Sequence, residues 1–284
     1  MPVPQSRRVV SDDGVPIAVY ESGSPELPTV LAVHGYPDNA ALWDGVAEAL
    51  TGRCRLIRYD VRGAGRSGAP AGRSGYRLPQ LAADARAVLD ATAPEGRVHL
   101  LGHDWGSVQG WYFVTEPRLA PRLASFTSVS GPAVTQLGPW LRNRLRSRRP
   151  GPALWQLAHS SYIAFFQLPV LPELAWRSGL AGRLLGEPAE HRTLSDALNG
   201  LELYRANLLG GNHRQAGQID LPVQVLAPRR DRYLHPELLL EAPRPIARRL
   251  RGRVVESGHW LPLSQPELLA DAVAEFVAEV EGTG

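Results

Sequence analysis

An aspartate with glycine two positions away on each side, Gly102-His103-Asp104-Trp105-Gly106, directly follows the apolar run Val98-His99-Leu100-Leu101. Small residues at those two positions allow the sharp strand-to-helix turn that elsewhere lifts a serine nucleophile above the end of a sheet strand. Serine suits attack on a carbonyl, because water can reopen the acyl-enzyme it forms. A carboxylate suits a saturated carbon. If it displaces a leaving group there, the product is an alkyl ester that water cleaves at the aspartate's own carbonyl, whereas serine would be left as an inert ether. Asp104 therefore points to an epoxide or an alkyl halide as the electrophile.

Such a nucleophile needs partners later in the chain, acid before base. Asp231 lies in Pro228-Arg229-Arg230-Asp231-Arg232-Tyr233 after the apolar run Val223 to Ala227, and His259 lies in Ser257-Gly258-His259-Trp260 after Arg253 to Glu256. A carboxyl of ordinary acidity is already ionised at neutral pH, so His259 has no proton to take from Asp104; its role is to activate the water that attacks the ester. Asp231 would fix the imidazole tautomer and stabilise the imidazolium. The oxyanion that develops on Asp104 during hydrolysis needs two backbone N–H donors, and Trp105 and Tyr36 of His34-Gly35-Tyr36-Pro37 are the candidates.

The elements that must hold these residues read as an α/β fold, a mostly parallel central sheet flanked by helices. Arg8 to Ser11 and Ile17 to Tyr20, joined by Asp12-Asp13-Gly14, predict an opening hairpin. Short apolar runs at Val30 to Val33, Arg55 to Tyr59, Val98 to Leu101, Leu123 to Val129, Val223 to Ala227 and Arg253 to Glu256 predict buried parallel strands. Helical periodicity falls between most of them, at Ala40 to Leu50, Leu78 to Thr92, Ser107 to Glu116 and Pro266 to Val280. The rhythm stops after Val129. Residues 132–218 read as helices broken by Pro and Gly and rich in aromatics, an inserted helical cap over the strand ends, with residues 1–131 and 219–284 forming the core.

Composition narrows the alternatives. A chain of 284 residues fits one large domain or a core plus cap, and its 44% hydrophobic and 21% charged residues are ordinary for a globular protein. There is no lysine; all 31 basic residues are arginine, scattered at a net charge of only +3, which argues against nucleic acid as partner. The densest run, Arg142, Arg144, Arg146, Arg148 and Arg149, reads as the solvated face of a surface helix, with an acidic partner or anionic lipid as the alternative. Cys54 is the only cysteine, which excludes an intrachain disulfide. Met1 to Arg8 lacks the apolar core of a signal peptide, and no run is long enough to span a membrane, so a soluble, cytoplasmic protein is expected. Histidines 34, 99, 103, 159, 191, 213, 235 and 259 show no paired ligand spacing, so neither a metal nor another cofactor is expected. Oligomeric state is open, a homodimer included.

The chain resembles the epoxide hydrolases of the α/β-hydrolase superfamily through His34-Gly35-Tyr36-Pro37, Asp60-Val61-Arg62-Gly63-Ala64-Gly65-Arg66-Ser67, Gly102 to Gly106, the Asp231 loop and Gly258-His259-Trp260. Around Ser125 to Pro132 it also resembles the hydrolase half of actinobacterial proteins in which such a domain precedes a short-chain dehydrogenase; no dehydrogenase follows in this sequence. Dehalogenases share most of these motifs. Opening an epoxide creates an alkoxide that must be hydrogen-bonded and protonated, while a halide needs only N–H donors. The resemblance implies that two cap tyrosines supply those protons, Tyr162, ahead of Phe166-Gln167-Leu168-Pro169, and Tyr204 in the pair Tyr204-Arg205.

Trp105, Phe165, Phe166 and Trp260 are candidates for the substrate pocket. Tyr36 and Asp38-Asn39 depart from the phenylalanine and acidic-serine continuation usual in the family, a change expected to alter pocket polarity while leaving the backbone donor. The expectation is a cofactor-independent epoxide hydrolase acting on a small apolar epoxide and water to give a vicinal diol. A haloalkane or haloacid dehalogenase, with Trp140, Trp155 or Trp176 cradling the halide, is the alternative enzyme. A non-catalytic small-molecule receptor on the same fold is the alternative from another class.

Overall fold

The computed structural model describes residues 5–185, 190–208 and 217–282. Parts of the segment 132–218 and His213 therefore lie outside the described residues. Eight strands, β1 (Gln5–Val10), β2 (Pro16–Ser22), β3 (Thr29–Val33), β4 (Arg55–Tyr59), β5 (Val98–His103), β6 (Leu123–Val129), β7 (Val223–Pro228) and β8 (Leu250–Val255), form one sheet in the order β1-β2-β4-β3-β5-β6-β7-β8. The opening hairpin adds the antiparallel strands β1 and β2; from β4 to β8 every pairing is parallel.

Among the described residues twelve α-helices accompany the strands: α1 (Asp44–Ala49), α2 (Leu78–Thr92), α3 (Trp105–Phe113), α4 (Val134–Leu145), α5 (Gly151–His159), α6 (Ser161–Phe166), α7 (Leu171–Arg177), α8 (Leu180–Leu185), α9 (Leu194–Asn207), α10 (Pro236–Glu241), α11 (Leu261–Ser264) and α12 (Pro266–Val280). Successive strand side chains point to opposite faces, and both faces are dry. Leu31 and Val33 of β3 join the core formed with α2, α3 and α10, while Val30 and Ala32 join the core formed with α1, α11 and α12. Burial on both sides is why the inner strands read as apolar runs without alternation.

The strands β1, β2, β3, β5 and β7 differ from the sequence reading by one to three residues at an end, and three further elements differ as well. The stretch from Ala40 to Leu50 begins as a 3-10 turn, Ala40–Trp43, because the Asn39 side chain accepts the Ala41 N–H at 3.0 Å, and the α-helix starts only at Asp44. α3 begins at Trp105 and ends at Phe113 rather than running from Ser107 to Glu116. β8 starts at Leu250, ahead of the expected Arg253, and its Arg251 and Arg253 are exposed. It pairs only with β7 and is the sheet's edge, where charged side chains guard unpaired backbone and erase the apolar signal.

The loop after β4 is organised from within. Asp60 accepts the N–H groups of Ala40 and Arg66, each at 2.8 Å. Arg62, fully buried, donates to both oxygens of Asp84 on α2 at 2.7 and 2.5 Å, to Asp13 of the hairpin turn at 2.7 Å and to the Gly75 carbonyl at 2.9 Å. Burial raises the Asp84 pKa despite the guanidinium beside it. Arg62→Met should therefore strand a buried carboxylate and lower unfolding free energy by about 3–5 kcal/mol in urea melts, while the double variant Arg62→Met, Asp84→Leu should recover most of the loss.

Candidate active site

Asp104 occupies the single position between β5 and α3, at φ 52° and ψ −120°. That backbone is costly for a residue with a side chain, and the turn closes only because its neighbours are small. A Cβ on Gly106 would come within 1.9 Å of the Val33 carbonyl oxygen, and one on Gly35 within 2.4 Å of Asp104 Oδ1. The approach of Gly35 brings the next backbone N–H, that of Tyr36, to 2.7 Å from Asp104 Oδ1. Trp105 is the first residue of α3, where N–H groups have no intrahelical acceptor. Between β3 and β4 a buried imidazole fixes the Tyr36 loop: His34 Nδ1–H donates to the Gly35 carbonyl at 2.9 Å and Nε2 accepts the Val61 N–H at 2.8 Å.

Asp231 and His259 meet Asp104 from the ends of β7 and β8. Asp231 Oδ1 accepts the N–H groups of Tyr233 and Leu234, at 2.8 and 3.1 Å, which aims Oδ2 at His259 Nδ1, 2.9 Å away. His259 Nε2 lies 3.6 Å from Asp104 Oδ2. Burial works against a charged His259 ring, but the carboxylates of Asp231 and Asp104 outweigh it and raise its pKa to about 10. Burial also pushes the Asp231 carboxyl up; the imidazolium and its N–H donors overcome that and hold it below the usual carboxylate range.

Two groups that sequence reasoning passed over hold His259 in place. The His103 Nε2–H donates to the His259 carbonyl at 2.9 Å, and Ser130 Oγ donates to the same oxygen at 3.3 Å. His103 is the opposite of its neighbour: burial first, then the charge on His259, lowers its pKa to about 4. Tyr233 packs edge-on against the His259 ring, with centroids 4.9 Å apart. Its position two residues after Asp231 was the only available signal.

Tyr36, Asp104, Tyr162, Tyr204, Tyr233 and His259 share a cavity of about 540 Å³ whose remaining wall, Ser161 apart, is largely apolar. Phe165, Phe166 and Trp260 line it as well. Trp105 is not among the lining residues; its ring is buried edge-on against Tyr204, centroids 4.9 Å apart. Burial raises the pKa of both Tyr162 and Tyr204, and nearby Asp104 adds to the effect, so both stay protonated donors at neutral pH. Arg205 points away from the cavity and ties α9 to the α6–α7 connection through the Phe166 and Leu168 carbonyls, at 2.9 and 2.8 Å, and Glu173 at 2.6 Å.

The family departures fall on two sides of this wall. Tyr36 does line the cavity, and its hydroxyl is buried beside the Trp176 indole, the two rings edge to face with centroids 6.0 Å apart. Asp38 and Asn39 do not alter pocket polarity, because they turn the other way. Asp38 accepts from Arg192 at 2.6 Å, His191 at 3.1 Å and the Trp260 indole at 2.9 Å, while Asn39 donates to Asp196 of α9 at 3.0 Å. Of the three tryptophans considered for a halide, Trp140 donates to Glu241 and Trp155 stacks on His159. Trp176 lines the cavity with its indole N–H buried and turned to the Tyr36 hydroxyl.

Residues 28–266 match the family described as alpha/beta hydrolase fold. "Probable oxidoreductase EphD" of Mycobacterium tuberculosis is 38% identical over 99% of this chain and 51% of its own length, so the chain spans about half of that relative. "Epoxide hydrolase A" of the same organism is 29% identical over 81% of this chain and 62% of its own length. Among solved structures, an epoxide hydrolase from hot-environment metagenomes aligns with a TM-score of 0.78 at 24% identity, covering 98% of this chain and 99% of the other. A Bacillus megaterium epoxide hydrolase mutant complexed with its diol product aligns at 0.78 and 19%, covering 95% and 99%. At such identities the two structures speak for the fold.

The opposite shifts of two adjacent histidines have a consequence for stability. His103 near 4 resists protonation in the folded state, so stability is lost as pH falls from about 6.5 toward 4; buried His99 and half-buried His235, also lowered, act in the same direction. His259 near 10 keeps a proton that the unfolded chain releases, so its contribution is complete below about 6.5 and fades as pH rises to 10. Urea melts should give a stability maximum near pH 6.5, falling by about 1.4 kcal/mol per pH unit for each histidine involved. His103→Gln should flatten the acid limb and His259→Gln the alkaline one.

Proposed function

The chain belongs to the alpha/beta hydrolase fold family, and on that premise we propose that it hydrolyses an epoxide to a vicinal diol through an alkyl ester on Asp104. The observation that carries this reading is the meeting of two buried tyrosine hydroxyls, Tyr162 and Tyr204, with the Asp104–His259–Asp231 set around one largely apolar cavity. The names of relatives and structural neighbours support the same class. Residues 132–218 serve as a cap that closes the cavity over the strand ends, and 1–131 with 219–284 make the core.

In the first step an Asp104 oxygen bonds to a ring carbon, the C–O bond of the oxirane breaks, and the electron pair stays on the departing oxygen. Tyr162 and Tyr204 hydrogen-bond that alkoxide and protonate it, and the tyrosinate regains a proton through solvent, to which the His259 imidazolium yields its Nε2 proton once Asp104 is esterified. In the second step His259 takes a proton from water as the oxygen attacks the Asp104 carbonyl carbon. Tyr36 N–H and Trp105 N–H receive the oxyanion. Collapse releases the diol, its leaving oxygen taking the proton from His259, and the Asp104 carboxylic acid so formed then gives its own proton to His259, which restores the carboxylate beside an imidazolium. Asp231 keeps Nδ1 protonated throughout, which leaves Nε2 as the base.

Trp176 supports one second reading. Its buried indole N–H beside the cavity could receive a halide, which would make the same ester intermediate part of a dehalogenase.

His259→Gln should stall after ring opening, so its intact mass after mixing with small aryl or alkyl epoxides should rise by one whole epoxide, mapping to Asp104. Tyr162→Phe and Tyr204→Phe should each slow that adduct's formation by about 10²- to 10⁴-fold, the usual contribution of a positioned acid. An adduct from haloalkanes alone, unaffected by removal of both tyrosines, would select the dehalogenase. Absence of any adduct would reject Asp104 as nucleophile for both substrate classes.

A further inference from the structure

Seven of the fourteen large apolar side chains exposed among the described residues lie in one short stretch, from Phe165 to Leu184. α6, α7 and α8 pack consecutively there. Leu171 and Leu174 are each 53% exposed and Leu184 72%. Phe165, Leu180 and Leu184 also line the Asp104 cavity, so its rim and this apolar face are continuous. At the turn into α7, Val170 is 61% exposed at φ 67°. With ψ at −42° it is the centre of a tight turn closed by the Leu171 N–H on the Pro169 carbonyl at 2.7 Å, a backbone that glycine takes at less cost than a β-branched residue, yet no core packing compensates the valine.

Charge along this part of the chain is equally uneven. Residues 132–185 hold seven arginines and one carboxylate, whereas the remaining residues hold 24 arginines against 27 carboxylates. The carboxylate, Glu173, is engaged by Arg205. Arg142, Arg146, Arg148, Arg149 and Arg183 form no ion pair among the described residues, while Arg177 acts on Glu173 as well. An apolar face this size marks an interaction surface. A second copy of the chain would bring the same arginines to a self-complementary contact, like charge against like. An anionic lipid surface satisfies both features, with acyl chains for the leucines and headgroups for the guanidinium groups.

We infer that α6 to α8 dock shallowly on an anionic membrane surface, with the α4–α5 arginines against the headgroups and the cavity mouth turned toward the lipid. Delivery of a lipophilic epoxide from the bilayer to Asp104 follows only on the proposed reaction; docking is independent of it, and the two are tested separately.

The test is sedimentation of the full chain with vesicles of phosphatidylcholine, with and without phosphatidylglycerol. Binding is expected only with phosphatidylglycerol and should weaken as salt rises. The quadruple variant Arg142→Gln, Arg146→Gln, Arg148→Gln, Arg149→Gln should bind at least about tenfold more weakly, given roughly fivefold per arginine near such a surface. Val170→Gly should also weaken binding, yet leave the melting temperature unchanged or higher because it relieves the backbone, which separates lost docking from lost folding. No sedimentation with either vesicle, equal sedimentation with both, or undiminished binding by both variants overturns the inference. So does a dimer in size-exclusion chromatography that Val170→Gly with Leu174→Asn dissociates, since the face would then belong to a second copy.

Discussion

Asp104 has a φ of 52° because β5 must end and α3 begin within one residue, and that turn can exist only where the surroundings over-determine it. A conformation of this kind costs about 1–3 kcal/mol. Hydrogen bonds on both sides hold it: Asp104 N–H donates to Val129 of β6 at 3.0 Å, and its carbonyl accepts the Val108 N–H of α3 at 3.0 Å. β3 and β6 flank β5, so the strand cannot shift to relax the turn. Glycine at 35 and 106, the Tyr36 donor and the aim of the carboxylate all follow from this one requirement.

The second constraint is charge. Asp104 and Asp231 stand on either side of His259, and Asp38 lies behind Trp260, all in a region with little water. His259 answers the first two and Arg192 with His191 answers Asp38, whose carboxyl is held low by them against the upward push of burial. The Trp260 indole, donating to Asp38 and lying under the Arg192 guanidinium at 4.5 Å, separates the two anionic centres while tying the His259 loop to the segment that precedes α9. Asn39 and Gly65 then anchor the start of α9 through Asp196. The tyrosine of α9 is thus positioned by contacts to the loops that carry the backbone donor and to the loop after β4.

What could be read from the sequence divides along the same lines. Strands buried on both faces announce themselves by uninterrupted apolar residues, and helices with one buried stripe, such as α2 and α12, by their period; the boundaries of both match the reading. β8 was legible only at its end because an edge strand carries charge. Local motifs exposed Asp104, Asp231 and His259, since a strained turn and two strand ends limit which residues can stand there. Tyr162 and Tyr204 rested on resemblance; helix periodicity alone does not tell a cavity wall from a core. The Asp38–Arg192–Trp260 bridge was invisible because its members are separated by most of the chain. Trp105 was assigned to the pocket by adjacency, but the residue after the turn directs its ring beneath Tyr204 while only its backbone faces the nucleophile's end of the helix.

On the proposed reaction, the order of events is written into that same charge balance. With Asp104 ionised, His259 is held as an imidazolium and cannot accept a proton from water. Esterification removes one of the two carboxylates that hold it so, and the Nε2 proton loses the anion 3.6 Å away. The base is therefore released by the consumption of the nucleophile. After ring opening, the neutral ring faces the ester carbonyl with only Asp231 behind it. A water activated too early would have no ester to attack, and the electrostatic coupling of Asp104 to His259 prevents that without any movement of the protein.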